Sequence, residues 1–430
     1  MKTHLFPRKL HVELATMCNL GCAMCVKHSA GWECADAVMS RQTFEALAPV
    51  FPHLDTLNLN GVGESMLHPE LPAFIAFARR KVRPDCVIGF QSNGMLLNPA
   101  LAGDLVAAGL DRICFSVDSP DPLEMGALRS GSLLDQVGQA FGLMRAAAAD
   151  AGRPLELGAQ TVVSRGNLDR LPDTVRWCAE HGARFVIVSH VLPYTQEDAC
   201  RSLYIQPSGR SLDLFMSWRD RLAAEGLDIR QFSSAFYAFV RTPSQRRLVD
   251  GVLTMLAEAR VRGFEISLPN MLKVDLEGMA RVRHVFRAAS DLAGSLGLRL
   301  ELPAISAREP RNCAFVQDPT MFVACDGAIT PCYFLWHGYT CWPDGERVQV
   351  RQMSFGRAGR DDVLEVWDSP EFRLFRDHAR REEFPRCGDC SLTPCDFVQG
   401  FPEPFTRDCY DVPVPCGICP WSGGGFACLQ

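Results

Sequence analysis

Between Leu10 and His190 the chain alternates short apolar, β-rich runs with longer stretches of helical period, and it does so through six strands. The strand runs are Leu10 to Ala15, Leu54 to Asn60, Cys86 to Gln91, Arg112 to Val117, Leu155 to Val163 and Arg184 to Ser189. Helical period fills the gaps, over Pro69 to Lys81, Ala100 to Ala108, Leu133 to Asp150 and Leu168 to His181. Parallel strands need crossover helices, so six βα units in succession predict an α/β fold, a partial (β/α)6 TIM-like barrel. In such barrels the reactive groups stand on the loops after the C-terminal ends of the strands.

The remainder changes character twice. From 192 to 307 the pattern is mostly helical, over Ser211 to Glu225, Leu248 to Arg262 and Met279 to Leu296, with strand runs at Phe264 to Leu268 and Leu298 to Leu302. This stretch either extends the barrel or forms a lid over it. From 308 to 430 Cys, Pro, Gly and aromatic residues dominate, with one clear helix that Ser369 caps and Pro385 follows. The expected domains are therefore 1–191, 192–307 and a loop-rich, cysteine-dense 308–430, which needs staples in place of a large core.

Composition narrows the class. With 47% hydrophobic and 22% charged residues the chain reads as globular, and a net charge of −6 offers no basic field for nucleic acid. Neither a signal-peptide core nor an apolar run of membrane-spanning length is present, so the expectation is a cytoplasmic protein without a membrane partner. In a reducing compartment its 19 cysteines point to metal rather than disulfides. Their distribution agrees: three cluster early, and eleven lie between Cys313 and Cys428.

The early three are Cys18, Cys22 and Cys25, on the loop after the first strand run. Three thiolates can hold three irons of a cubane and leave the fourth open. Cys34 is available as a fourth ligand, which keeps a closed ferredoxin-like cluster as an alternative. The second strand run leads into Gly61-Val62-Gly63-Glu64, where glycines permit close backbone approach to a ligand and Glu64 can accept from an ammonium group. Polar groups follow the later strands in turn: Ser92 and Asn93, then Ser116 and Asp118, then Ser164 and Asn167 after Gln160.

This order of CxxxCxxC, a Gly-rich loop with Glu, SerAsnGly and SerValAsp resembles the radical S-adenosylmethionine (SAM) superfamily over about residues 10 to 190. The resemblance implies a [4Fe-4S] cluster on Cys18, Cys22 and Cys25 and SAM as co-substrate, cleaved reductively to a 5′-deoxyadenosyl radical. It assigns the methionine amino group to Gly61, Gly63 and Glu64, and the ribose to Ser116 and Asn167; Asp118 holds either SAM or substrate. Two positions depart from the family pattern: Met24 stands where an aromatic residue is usual, and Val62 replaces a glycine.

Further on, Cys313, Gly327, Cys332, Cys387, Cys390, Cys395, Cys409, Cys416, Cys419 and Cys428 resemble a SPASM domain, which carries two auxiliary [4Fe-4S] clusters. Four residues separate Cys390 from Cys395 where the family has five, and nine ligands compete for eight places, with Cys325 and Cys341 as spares. Zinc ribbons share the CxxC spacing, so zinc stays open here. The stretches Val191 to Thr195, Leu335 to Thr340, Met353 to Gly356 and Pro415 to Trp421 resemble a subgroup described as maturases of tungsten-containing oxidoreductases.

The implied activity is hydrogen abstraction from a peptide, a protein or a cofactor precursor, with a flavodoxin or ferredoxin as electron donor. His190, Tyr194 and His337 are candidates for moving a proton or hydrogen atom, each with a structural alternative. The first strand run begins near Leu10, which favours a substrate needing no leader recognition in this chain. A non-catalytic iron-sulfur or zinc scaffold is the rival from another class.

Overall fold

The computed structural model describes residues 6–392, 395–396 and 406–429. Six parallel strands follow in chain order: β1 (Lys9–Val12), β2 (Thr56–Asn58), β3 (Val87–Ser92), β4 (Arg112–Ser116), β5 (Glu156–Val163) and β6 (Phe185–His190). Helices Leu71–Arg79, Pro99–Ala108, Leu134–Asp150 and Leu171–Glu180 provide crossovers where helical period was read. The strands alternate instead of being apolar throughout. Leu10, Val12, Leu57, Ile88, Phe90, Ile113, Phe115, Leu157, Ala159, Val186 and Val188 belong to one core beneath the helices. Residues between them, including His11, Asn58, Gln91, Cys114, Ser116, Gln160 and Ile187, point to the other face, which encloses a lumen.

The sheet runs beyond six strands at both edges. After β7 (Ile205–Ser208), β8 (Arg299–Glu301) pairs parallel with β6, and β9 (Ser306–Ala307) pairs with β7 in a separate two-stranded sheet. At the other edge β10 (Thr320–Val323) pairs parallel with β1, and β11 (Ala328–Thr330) and β14 (Gly356–Arg357) follow antiparallel. Between them β12 (Tyr339–Cys341) and β13 (Val348–Val350) form a hairpin.

The middle stretch extends the sheet through β8, and its helices Gly209–Ala224 and Pro243–Val261 build a separate core around Leu212, Phe215, Val252 and Met255. Helix Leu276–Ser295 lies on helix Leu171–Glu180 of the barrel.

The strand expected at Phe264 to Leu268 does not form: this segment is irregular and Ser267 caps helix Leu268–Lys273. Pro269, which has no N–H for a sheet ladder, suits the first helical turn. The late helix is Pro370–Arg380, with the Ser369 hydroxyl accepting from Phe372 N at 3.3 Å. Among the described residues no helix is long and apolar enough to cross a membrane.

Candidate active site

The loop carrying Cys18, Cys22 and Cys25 leaves the C-terminal end of β1 and is held from two sides. Asn93, after β3, donates from Nδ2 to Asn19 Oδ1 at 2.8 Å and lies 3.9 Å from Cys18 Sγ. On the other side Gly21 N donates to Ser130 O at 3.0 Å. Arg129 from that same segment hydrogen-bonds the Cys22 thiol and pairs with the fully buried Asp118 at 2.7 Å. Burial pushes all three thiols up, and the Arg129 cation works against it at Cys22. Cys34 stands apart, hydrogen-bonded to Thr16 and near Glu13 and Asp326, so it does not close the set as a fourth ligand.

Glu64 is buried, and its carboxylate accepts from Met66 N at 3.0 Å, Ser92 Oγ at 2.9 Å and Asn93 N at 2.8 Å. Three donors leave room for one more. Burial raises its pKa, opposed by those bonds. The two glycines also permit close packing within the chain. A Cβ on Gly63 would stand 2.3 Å from Met17 O and 2.4 Å from Ala15 O, and one on Gly61 would meet Glu13 Cγ at 2.3 Å. They let the loop press against the chain leaving β1, bringing Glu64 beside the cysteine loop.

Two of the proposed SAM contacts are committed elsewhere. Asp118 takes Arg129 and also Val162 N at 2.8 Å. Asn167 uses its oxygen for Ser164 N and Ser164 Oγ, and its amide for Asp118 O and Val162 O, so nothing remains for a ribose. Ser116 accepts from Gln91 Nε2 at 3.1 Å and keeps its own hydroxyl proton for a ligand.

The hydrogen-transfer candidates separate sharply. His190 lies on the outer face of β6 among Tyr204 and Phe286, with Nε2 bonded to Ala304 O at 3.0 Å. Burial holds it down at about 4, a neutral structural imidazole. His337 Nε2 is bonded to Glu13 Oε2 at 2.9 Å, which positions Glu13 instead of facing the lumen. Tyr194 does enter the site: it lies within electrostatic reach of Cys25 and Cys428, and its hydroxyl has no hydrogen-bond partner among the described residues.

Sequence reasoning missed Glu13, which is fully buried and joins three regions by accepting from Val62 N, Cys325 N and His337. Its signal was readable, since His11 and Glu13 interrupt an otherwise apolar strand at alternate positions. Arg129 left no such signal. Lumen atoms without partners were also invisible: His11 Nε2, Asn58 Oδ1, Asn60 Oδ1 and Gln160 Oε1 are buried and unsatisfied. Such atoms mark a polar chamber built for a ligand.

Eight of the eleven late cysteines gather as two groups of four, with Cys341 at the edge of the first, within electrostatic reach of Cys419. Cys313, Cys332, Cys416 and Cys419 influence one another electrostatically, as do Cys387, Cys390, Cys395 and Cys409. The second group lines a largely apolar cavity of about 370 Å³. Gly417 joins the groups, because a Cβ there would lie 2.8 Å from Cys387 Sγ. Among the described residues no three His, Cys, Asp or Glu converge to hold a single metal ion. Cys428 belongs to neither group. Its thiol accepts from Trp421 Nε1 at 3.2 Å and borders the cavity in the barrel lumen.

Residues 313–391 match SPASM, an iron-sulfur cluster-binding domain. A tungsten-containing aldehyde ferredoxin oxidoreductase cofactor-modifying protein of Pyrococcus furiosus is 23% identical over 96% of this chain and 94% of its own. A GTP 3′,8-cyclase of Synechococcus sp. is 30% identical over 49% of this chain and 68% of its own. Among solved structures, Streptococcus suis SuiB shares the fold with a TM-score of 0.51 at 14% identity, over 94% of this chain and 77% of that one.

Proposed function

The chain belongs to the radical SAM enzymes and carries a SPASM iron-sulfur domain, and from that premise we propose that it modifies a metallocofactor or the protein that carries one. Cys18, Cys22 and Cys25 would hold the [4Fe-4S] cluster that, when bound, supplies the electron for cleaving SAM to methionine and a 5′-deoxyadenosyl radical. The observation that carries the reading is the mating of the open three-thiol loop with Glu64 and Asn93 at the mouth of a polar lumen.

The chain's own residues then have distinct tasks. Glu64 offers its remaining acceptor site to the methionine ammonium group, and the backbone of Gly61 and Gly63 carries that carboxylate to the cysteine loop. Ser116 offers a hydroxyl proton from β4. Arg129 places a cation against Cys22, favouring the thiolate that an iron site needs. His337, through Glu13, braces the Gly-rich loop against the SPASM region. The two four-cysteine groups suit auxiliary clusters that pass electrons, supplied by a flavodoxin or ferredoxin.

A cofactor or its carrier is favoured as substrate because similarity to the cofactor-modifying relative runs nearly end to end. Nineteen cysteines without a disulfide fit a cytoplasmic setting. The test is anaerobic incubation of reconstituted protein with SAM and dithionite. 5′-Deoxyadenosine should form, and Cys18→Ala should abolish it; a wild-type protein that yields none ends this reading. Metal analysis should give about twelve irons, four for each cysteine group, whereas zinc would replace the auxiliary clusters.

A further inference from the structure

The segment from Trp421 to Leu429 enters the barrel, and the barrel is shaped to take it. Gly423 and Gly425 lie flush on Tyr204, where a Cβ would stand 2.1 Å from its hydroxyl and 2.4 Å from Cδ2. Gly423 O and Gly424 O accept from Arg308 N and Ala304 N at 2.9 and 2.7 Å. Beyond them Gln160 Nε2 donates to Ala427 O and Asn58 Nδ2 to Leu429 O, each at 3.3 Å, while Leu429 is buried against Cys114, Phe185 and Ile187. Strands β2, β4, β5 and β6 all grip one short segment, which therefore crosses the lumen as a floor.

Cys428 is thereby placed between the two mouths of the barrel. Toward the cysteine loop it lies within electrostatic reach of Tyr333 and Tyr194, and Tyr194 is in turn within reach of Cys25. Tyr333 accepts from Asn60 Nδ2 at 2.6 Å and is bonded to His11 Nδ1 at 2.8 Å. The second atoms of these partners, Asn60 Oδ1 and His11 Nε2, are buried and unpaired, as is Gln160 Oε1 beside the segment itself. Toward the opposite mouth Cys428 borders a polar cavity of about 330 Å³ lined by Arg112, Arg299, Glu301 and Arg308. A half-buried thiol thus separates a ligand chamber from a polar vestibule.

Resting on the SAM-cleaving reading, we propose that Cys428 is the hydrogen-atom donor of the lumen, a site role distinct from cluster ligation. An S–H bond is weaker than an alkyl C–H bond, so transfer to a carbon radical runs downhill. The S–H bond breaks homolytically, a C–H bond forms, and a neutral thiyl remains. One electron from a low-potential one-electron carrier and one proton from water in the vestibule restore the thiol.

The donor can be tested without a substrate. Holoenzyme in D2O carries deuterium on Cys428, so reduction with dithionite in the presence of SAM alone should give 5′-deoxyadenosine bearing one deuterium, read by mass spectrometry. Cys428→Ala should lower that deuterium content at least fivefold while iron content and the SAM-dependent electron paramagnetic resonance signal stay unchanged, and Tyr194→Phe should retain the label. Deuterium-free product from wild type, or equal labelling in Cys428→Ala, overturns the proposal and leaves SAM cleavage standing. Loss of about four irons in Cys428→Ala also overturns it, by making Cys428 a ligand. Absence of 5′-deoxyadenosine altogether removes the underlying reading instead.

Discussion

Single residues here are decided by their partners. Asp118 and Asn167 follow the strand ends as a ligand-binding residue would, yet Asp118 is committed to Arg129 and Val162 N and the Asn167 amide is fully used, which ties the loops after β4 and β5 together. Glu13, one of two polar residues that interrupt an apolar strand run, is the hub between the Gly-rich loop, Cys325 and His337. His190 gives a pH prediction. Its folded-state pKa of about 4 lies below the ordinary 6.5, so protonation favours the unfolded chain. The stabilisation is complete above that ordinary value and fades as pH falls toward 4. Between pH 7 and pH 5 it should lose about 2 kcal/mol. Urea unfolding of wild type against His190→Gln at both pH values should show the variant lacking that part of the slope.

At the scale of elements, period and turn chemistry carried most of the information. Apolar residues at alternate strand positions and caps such as Ser369 are local properties, which is why all six barrel strands and the late helix were legible. The segment Phe264 to Leu268 misled because its apolar residues read equally as strand or as the approach to a helix, and Pro269 decided it. What the motif did not record is that the glycines of the Gly-rich loop meet the chain leaving β1. Gly63→Ala must therefore displace the loop from Met17 O and Ala15 O. Calorimetric titration should show SAM binding weakened at least about tenfold, or 1.4 kcal/mol, with helical content by circular dichroism retained.

For the whole molecule the decisive feature is a sheet that ignores the boundaries suggested by composition. β8 comes from the helical middle and β10, β11 and β14 from the cysteine-rich region, all joined to the six barrel strands. A chain ending at Asn312 would bare the β1 edge and strand the buried Glu13 without Cys325 N and His337. It should elute as aggregate in size-exclusion chromatography, whereas the full chain should not. By itself the sequence determined the βα period, the early cysteine triplet and the density of late thiols, because each depends on residues close together along the chain. Only the tertiary structure decided that eight of the late thiols gather in two fours, that Cys34 stays out of the triplet, and that Cys428 lies inside the barrel. Those outcomes depend on where distant segments meet, and neither the spacing of cysteines nor the period of a strand records that.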